Sequence, residues 1–139
     1  MLSVRKQFTL GKEERLKSRK QIGQLFDKGK SFVVAPYRVY YVVNRQSSIV
    51  NGLQFGVGVS AKNFKRAVDR NRVKRLTREA WRLQKNELKE KTKAAQMQLN
   101  VFFIYTSKEL PDFKTVKDKV AVALKKLADK IDENISANS

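Results

Sequence analysis

The chain contains no cysteine and no histidine, and only thirteen of its 139 residues are acidic. Without cysteine there is neither a disulfide framework nor a thiolate metal site, and a reducing cytoplasm suits such a chain. Without histidine the commonest zinc ligand, the Ser/His and Cys/His nucleophile systems and a histidine acid–base pair are all excluded. No run approaches the roughly 18 apolar residues of a membrane span, and the opening MLSVRKQFTL carries no apolar core of signal-peptide length. These absences predict a cytoplasmic protein poorly equipped for chemistry of its own, with no membrane partner.

What the chain has in excess is positive charge. Thirty-one Lys and Arg residues give a formal charge of +18, which at this size points to a polyanionic partner. A hydrophobic fraction of 41%, arranged periodically, predicts one folded domain over residues 1–139, with flexible tails at about 1–7 and 133–139.

The charge concentrates in KNFKRAVDRNRVKRLTREAWRLQK, residues 62–85. At 100° per residue Val73, Leu76, Ala80 and Leu83 form one apolar stripe, which predicts burial against a sheet or helix. Nearly opposite, Asn71, Lys74, Arg75, Arg78, Arg82 and Lys85 share an arc of about 100°. Like charges at i, i+4 repel, so a one-signed arc suits a helix whose partner is a polyanion. Arginine's planar fork holds phosphate bidentately and stacks on bases, which fits folded RNA. Trp81 borders the arc, and packing against a neighbour is the preferred reading over base stacking. Arg72 and Glu79 lie toward the flank, where they can pair across turns or hold a loop.

Residues 1–17 read as a basic extended arm. Ser18 and Gln21 have capping-box spacing, and Ile22, Leu25 and Phe26 follow at helical intervals before Gly29, which predicts a short helix over 18–28. Residues 32–43, FVVAPYRVYYVV, predict a strand firm from Arg38 and interrupted by Pro36. A polar connection leads to LQFGVGVS, a second strand expected to form a hairpin with the first. In it Leu53, Phe55, Val57 and Val59 face a core, while Gly56 and Gly58 leave the other face nearly bare. Those glycines fit either close packing by a neighbour or a backbone surface open to a nucleic-acid strand. The basic helix is expected over about 67–89, a polar linker over 90–98, then the strand LNVFFIYTS with apolar residues on both faces. A closing helix carries Phe113, Val116, Val120, Leu124, Leu127 and Ile131. The element order predicts an α+β fold with helices on one side of a small sheet and the other side available. Ile22, Phe26 and either Tyr40 or Tyr41 would border a groove of the kind that stacks single strands, if the first helix packs beside the bare face.

The run Arg70-Asn71-Arg72-Val73-Lys74-Arg75-Leu76-Thr77-Arg78-Glu79, preceded by GVGVSAKNFKRAVD, resembles the arginine-rich signature of the bacterial ribonuclease P protein subunit, and the similarity extends over about 15–131. The resemblance implies a small, mostly antiparallel sheet packed by helices in the order α-β-β-β-α-β-α, with a left-handed β-α-β crossover through the arginine-rich helix. It implies a subunit that binds ribonuclease P RNA and the 5′ leader of precursor tRNA, while the RNA supplies the active site and its magnesium. No catalytic residue, metal or cofactor is expected on the protein, which would act as a monomer in the holoenzyme. The catalytic-RNA contacts would fall on Lys62, Lys65, Arg66, Arg70, Asn71, Arg72, Lys74, Arg75, Arg78 and Arg82. The leader cleft would use Arg15, Lys17, Ile22, Phe26 and Tyr40 or Tyr41. Where relatives often carry an aromatic this chain has Ile22, which leaves apolar contact there. The alternative from another class is a structural RNA-binding protein of the ribosomal type with no processing role.

Overall fold

The computed structural model describes residues 15–16, 19–45 and 52–137, so Lys17, Ser18 and the arm before Arg15 lie outside the described residues. Helix α1 is Arg19–Lys28, followed by β1 Lys30–Val34, β2 Tyr37–Arg45 and β3 Leu53–Val59. Helix α2 Ala67–Gln84 runs into α3 Asn86–Ala94, and β4 Met97–Tyr105 and α4 Phe113–Ala137 complete the chain. The stretch expected as one interrupted strand is a hairpin, β1 against β2, turning at Ala35-Pro36.

The four strands lie in the order β1-β2-β4-β3. β2 and β4 are antiparallel, whereas β3 and β4 are parallel and joined through α2 and α3. The expected hairpin of LQFGVGVS with the preceding strand therefore does not form, because β4 lies between them. Side-chain content explains the placement. β4 buries its whole odd row and half-buries Phe102 and Ile104 on the even one, which suits a centre strand. β3 has glycine on alternate positions and sits at an edge.

Odd-numbered residues of β2, β3 and β4 face the core. Val39, Leu99, Val101 and Phe103 have no exposure, and Val116, Val120, Leu127 and Ile131 of α4 close the same core with α2. Trp81 stacks on Phe55 with ring centroids 4.4 Å apart, and the Tyr37 hydroxyl meets Thr77 Oγ1 at 2.7 Å.

Three expectations for the basic helix change. Its buried stripe is Val73, Thr77, Ala80 and Trp81, with Leu76 half-buried and Leu83 exposed; the stripe is turned toward the bulky indole, which the core takes in whole. Lys85 is not on the cationic arc but buried at the break between α2 and α3. Burial pushes its ammonium down to about 8, with nearby Lys89 adding to the effect. The predicted linker is mostly helix, since α3 runs to Ala94 on only two buried side chains, Leu88 and Thr92 at i, i+4. A left-handed Gln96 (φ 54°) then turns the chain into β4.

Helices also cover both faces of the sheet. α1 packs on the even-numbered face through Leu25 and Phe26, so that face is partly covered.

Candidate nucleic-acid interface

Two surfaces gather the predicted residues. The first is α2 with the loop before it. Asn71, Arg72, Arg75 and Arg78 are exposed, and Lys74 is half-buried at the edge of the same arc. Their charge is held outward because the opposite stripe is locked into the core by Val73, Ala80 and Trp81. Arg82 differs from the others in forming an ion pair with Glu79, one turn earlier. Arg70 differs too: its Nη1 donates to the carbonyls of Phe64 at 2.7 Å and Lys65 at 2.9 Å, tying the entry loop to the first turn of the helix. The sequence suggested a loop-holding role for Arg72; Arg70 makes those contacts.

That loop has its own anchor. Phe64 is buried against the Tyr105 ring, Phe64 N–H donates to Ser60 O, and Asn63 Nδ2 donates to Thr106 O at 3.2 Å. Lys62, Lys65 and Arg66 between these anchors are exposed. The loop and the helix present adjoining cationic surfaces, each anchored to the core.

The second surface is the even-numbered sheet face. Strand register sorts it into rows: Ser31, Tyr40, Phe102 and Gly56 in one, Val33, Arg38, Ile104 and Gly58 in the next, and Val42, Asn100 and Gln54 on the other side. Phe26 of α1 stands over the first row, edge-on to Tyr40 at 4.9 Å and to Phe102 at 5.6 Å, with 44% of its surface exposed. Ile22 and Tyr40 are half-buried beside it. Arg15 lies exposed along the outer edge of β3, where it bridges to Phe55 and Leu16 N–H donates to Phe55 O at 2.8 Å.

Tyr41 is not part of this cleft. Strand alternation sends it to the core face, where it is buried near Phe32, and burial raises its hydroxyl pKa, with Lys130 opposing and Glu133 reinforcing the shift. Phe102 is the residue sequence reasoning missed. A β-carbon on Gly56 would come within 2.7 Å of its ring, so Gly56 is small because Phe102 lies over it. The apolar content of both faces of β4 was the available signal. Arg38 and Ile104, one row on, were likewise not singled out.

Among the described residues no group of three metal-ligating side chains converges, and no helix is long and apolar enough to cross a membrane.

The chain is similar to known proteins over most of its length. The Ribonuclease P family model matches residues 10–128. The ribonuclease P protein component of Porphyromonas gingivalis is 40% identical over 131 residues, covering 94% of this chain and 95% of that protein. That of Chlorobium phaeobacteroides is 31% identical over 122 residues, covering 81% and 84%. Among solved structures, the RNase P protein from Thermotoga maritima superposes with a TM-score of 0.62 at 27% identity, covering 81% of this chain and 96% of that one. The Staphylococcus aureus RNase P protein, at 22% identity and TM-score 0.59 over 81% and 93%, shares the fold. The family match takes in helix α1, the arginine-rich helix and all four strands, and the chain belongs to the ribonuclease P protein family.

Proposed function

We propose that this protein is the ribonuclease P subunit that binds the catalytic RNA through α2 and its entry loop and the 5′ leader of precursor tRNA through the cleft beneath α1. The carrying observation is the division of α2 into a stripe locked in the core and a one-signed cationic arc. Such an arc loses its self-repulsion when phosphates neutralise it. Arg72, Arg75 and Arg78, with Asn71 and Lys74, supply phosphate contacts, and Lys62, Lys65 and Arg66 extend them along the loop. Arg70 acts as a positioning residue, since its guanidinium is committed to two loop carbonyls. In the cleft, Phe26, Tyr40 and Phe102 offer ring faces and edges to unpaired bases, with Ile22 giving apolar contact and Arg15 a charge at the rim.

The RNA supplies the active site and its magnesium ions, and the protein raises affinity for precursor tRNA. Asp69 and Glu79 illustrate why the protein does not cut: ten residues apart on one helix, they stand about 15 Å apart along its axis. The holoenzyme contains one copy and works in the cytoplasm. The test is cleavage of precursor tRNA by the cognate RNA at low magnesium, with and without the protein. Faster cleavage and tighter substrate binding with the protein are expected. An unchanged rate and affinity would overturn the assignment, and cleavage by the protein alone would overturn the division of labour.

A further inference from the structure

The two surfaces above lie toward one end of the sheet. β3 runs out of the cleft into the loop at 60–66 and α2, so the row holding Arg38 and Ile104 borders the catalytic-RNA surface. At the opposite end, about 20 Å along β2 from Arg38, lies a pocket that neither surface uses. Its volume is about 510 Å³, and its walls include Gln24 and Lys28 of α1, Lys30, Tyr41 to Asn44 of β2, and Lys130 and Glu133 of α4.

Three features of this pocket fit a strand of RNA. β1 begins at Lys30 opposite Tyr41, so β2 continues past it for four residues paired to β4 on one side only, and among the described residues no strand pairs with the other edge. Backbone donors and acceptors along that edge can reach the polar edges of a base or ribose. Lys28, Lys30 and Lys130 surround them, against one carboxylate, Glu133, which lies 3.6 Å from Lys130 Nζ. Lys28 also stands in the last turn of α1, where its charge offsets the negative end of the helix dipole that would otherwise repel phosphate. Finally, the pocket adjoins the aromatic cleft, because Val42 in its wall is the next residue after Tyr40 on the same sheet face.

We propose that this pocket is a second single-strand subsite, taking leader nucleotides farther from the cleavage point than those held by Phe26, Tyr40 and Phe102. The inference rests on the cleft binding the leader. A strand that enters from the catalytic-RNA side and crosses the aromatic row is delivered to the unpaired edge of β2. The subsite holds phosphates by lysine and sugar or base edges by backbone.

The experiment uses the reconstituted holoenzyme and precursor tRNAs whose leaders are shortened one nucleotide at a time. Lys28→Ala combined with Lys30→Ala removes two exposed charges outside both proposed RNA surfaces. For long leaders the double variant should bind several-fold more weakly than wild type, with a salt slope smaller by about 1.4, two single-strand phosphate contacts. Below a threshold length the two should coincide. Glu133→Gln should shift long-leader affinity the opposite way. Equal loss at every leader length, or no loss at any, overturns the subsite. If wild-type protein gives no gain at any leader length, the leader-binding reading itself falls and the subsite with it.

Discussion

The two faces of the sheet come from the same strands and differ in nearly everything else. On the odd face, Val39, Leu99, Val101 and Phe103 are sealed by α2 and α4. On the even face, Tyr40 and Phe102 are half-exposed under one ten-residue helix, and Asn100 is buried with Gln98 Nε2 donating to its Oδ1 at 3.2 Å. One face holds the fold and the other leaves aromatic and polar groups near the surface. Alternation along a strand thus lets four strands serve two purposes.

The sharpest way to break that comparison is Trp81→Ala. Removing the indole stacked on Phe55 should cost about 3–5 kcal/mol in denaturant unfolding. A loss below about 1 kcal/mol would show that the sealed face is not what holds the domain together.

Lys85 is the exception on the sealed side. Its ammonium is lowered to about 8 in the fold, against about 10.4 in an unfolded chain. Between those values the unfolded state binds more protons, so stability should rise as pH climbs from about 8 toward 10. Above about 10 it should fall, because Tyr37, raised to about 12 chiefly by burial, keeps a proton that the unfolded tyrosine releases. Lys85→Met should add on the order of 2–3 kcal/mol at pH 7 and abolish the rise. A variant that keeps the rise would place the titration elsewhere.

Phe26→Ala should separate the faces from the other direction. With 44% of the residue exposed, its loss should cost the fold about 1 kcal/mol or less, while leader affinity falls by about 1–3 kcal/mol if it stacks a base. Equal losses in stability and affinity would make it a packing residue. The smallest effects belong to Arg75→Ala and Arg78→Ala, each expected to lower the RNA-binding salt slope by about one unit while unfolding stays within about 0.5 kcal/mol of wild type. An unchanged slope would remove that residue from the phosphate surface.

Much of this was legible in residue periodicity. The closing helix was, because Val116, Val120, Leu124, Leu127 and Ile131 recur at helical spacing and all are buried. The alternation of β3 was, down to Leu53, Phe55 and Val57. What escaped were properties set by partners distant in sequence. Periodicity says that Trp81 borders a stripe but not that Phe55 waits to stack on it, and it assigns Lys85 to an arc without registering the helix break that buries it. The choice between Tyr40 and Tyr41 turned on one residue of register, which β4 fixes by pairing Tyr40 with Phe102. The pocket at the β2 edge was invisible for the same reason, being assembled from α1, β2 and α4.

The strand order has a further consequence, in the timing of synthesis. The middle of the sheet is shared by β2 and β4, and β4 is the last strand made. A nascent chain that has emerged only through α3 owns a hairpin and a lone strand with nothing between them, while its arginine-rich helix is already made and lacks the α4 that closes the core over it. Residues 97–105 then join β2 to β3 in one step, and α4 closes over the result. The four-stranded sheet is complete only once β4 is made, so a chain halted before Met97 has the β1-β2 hairpin but nothing to join it to β3.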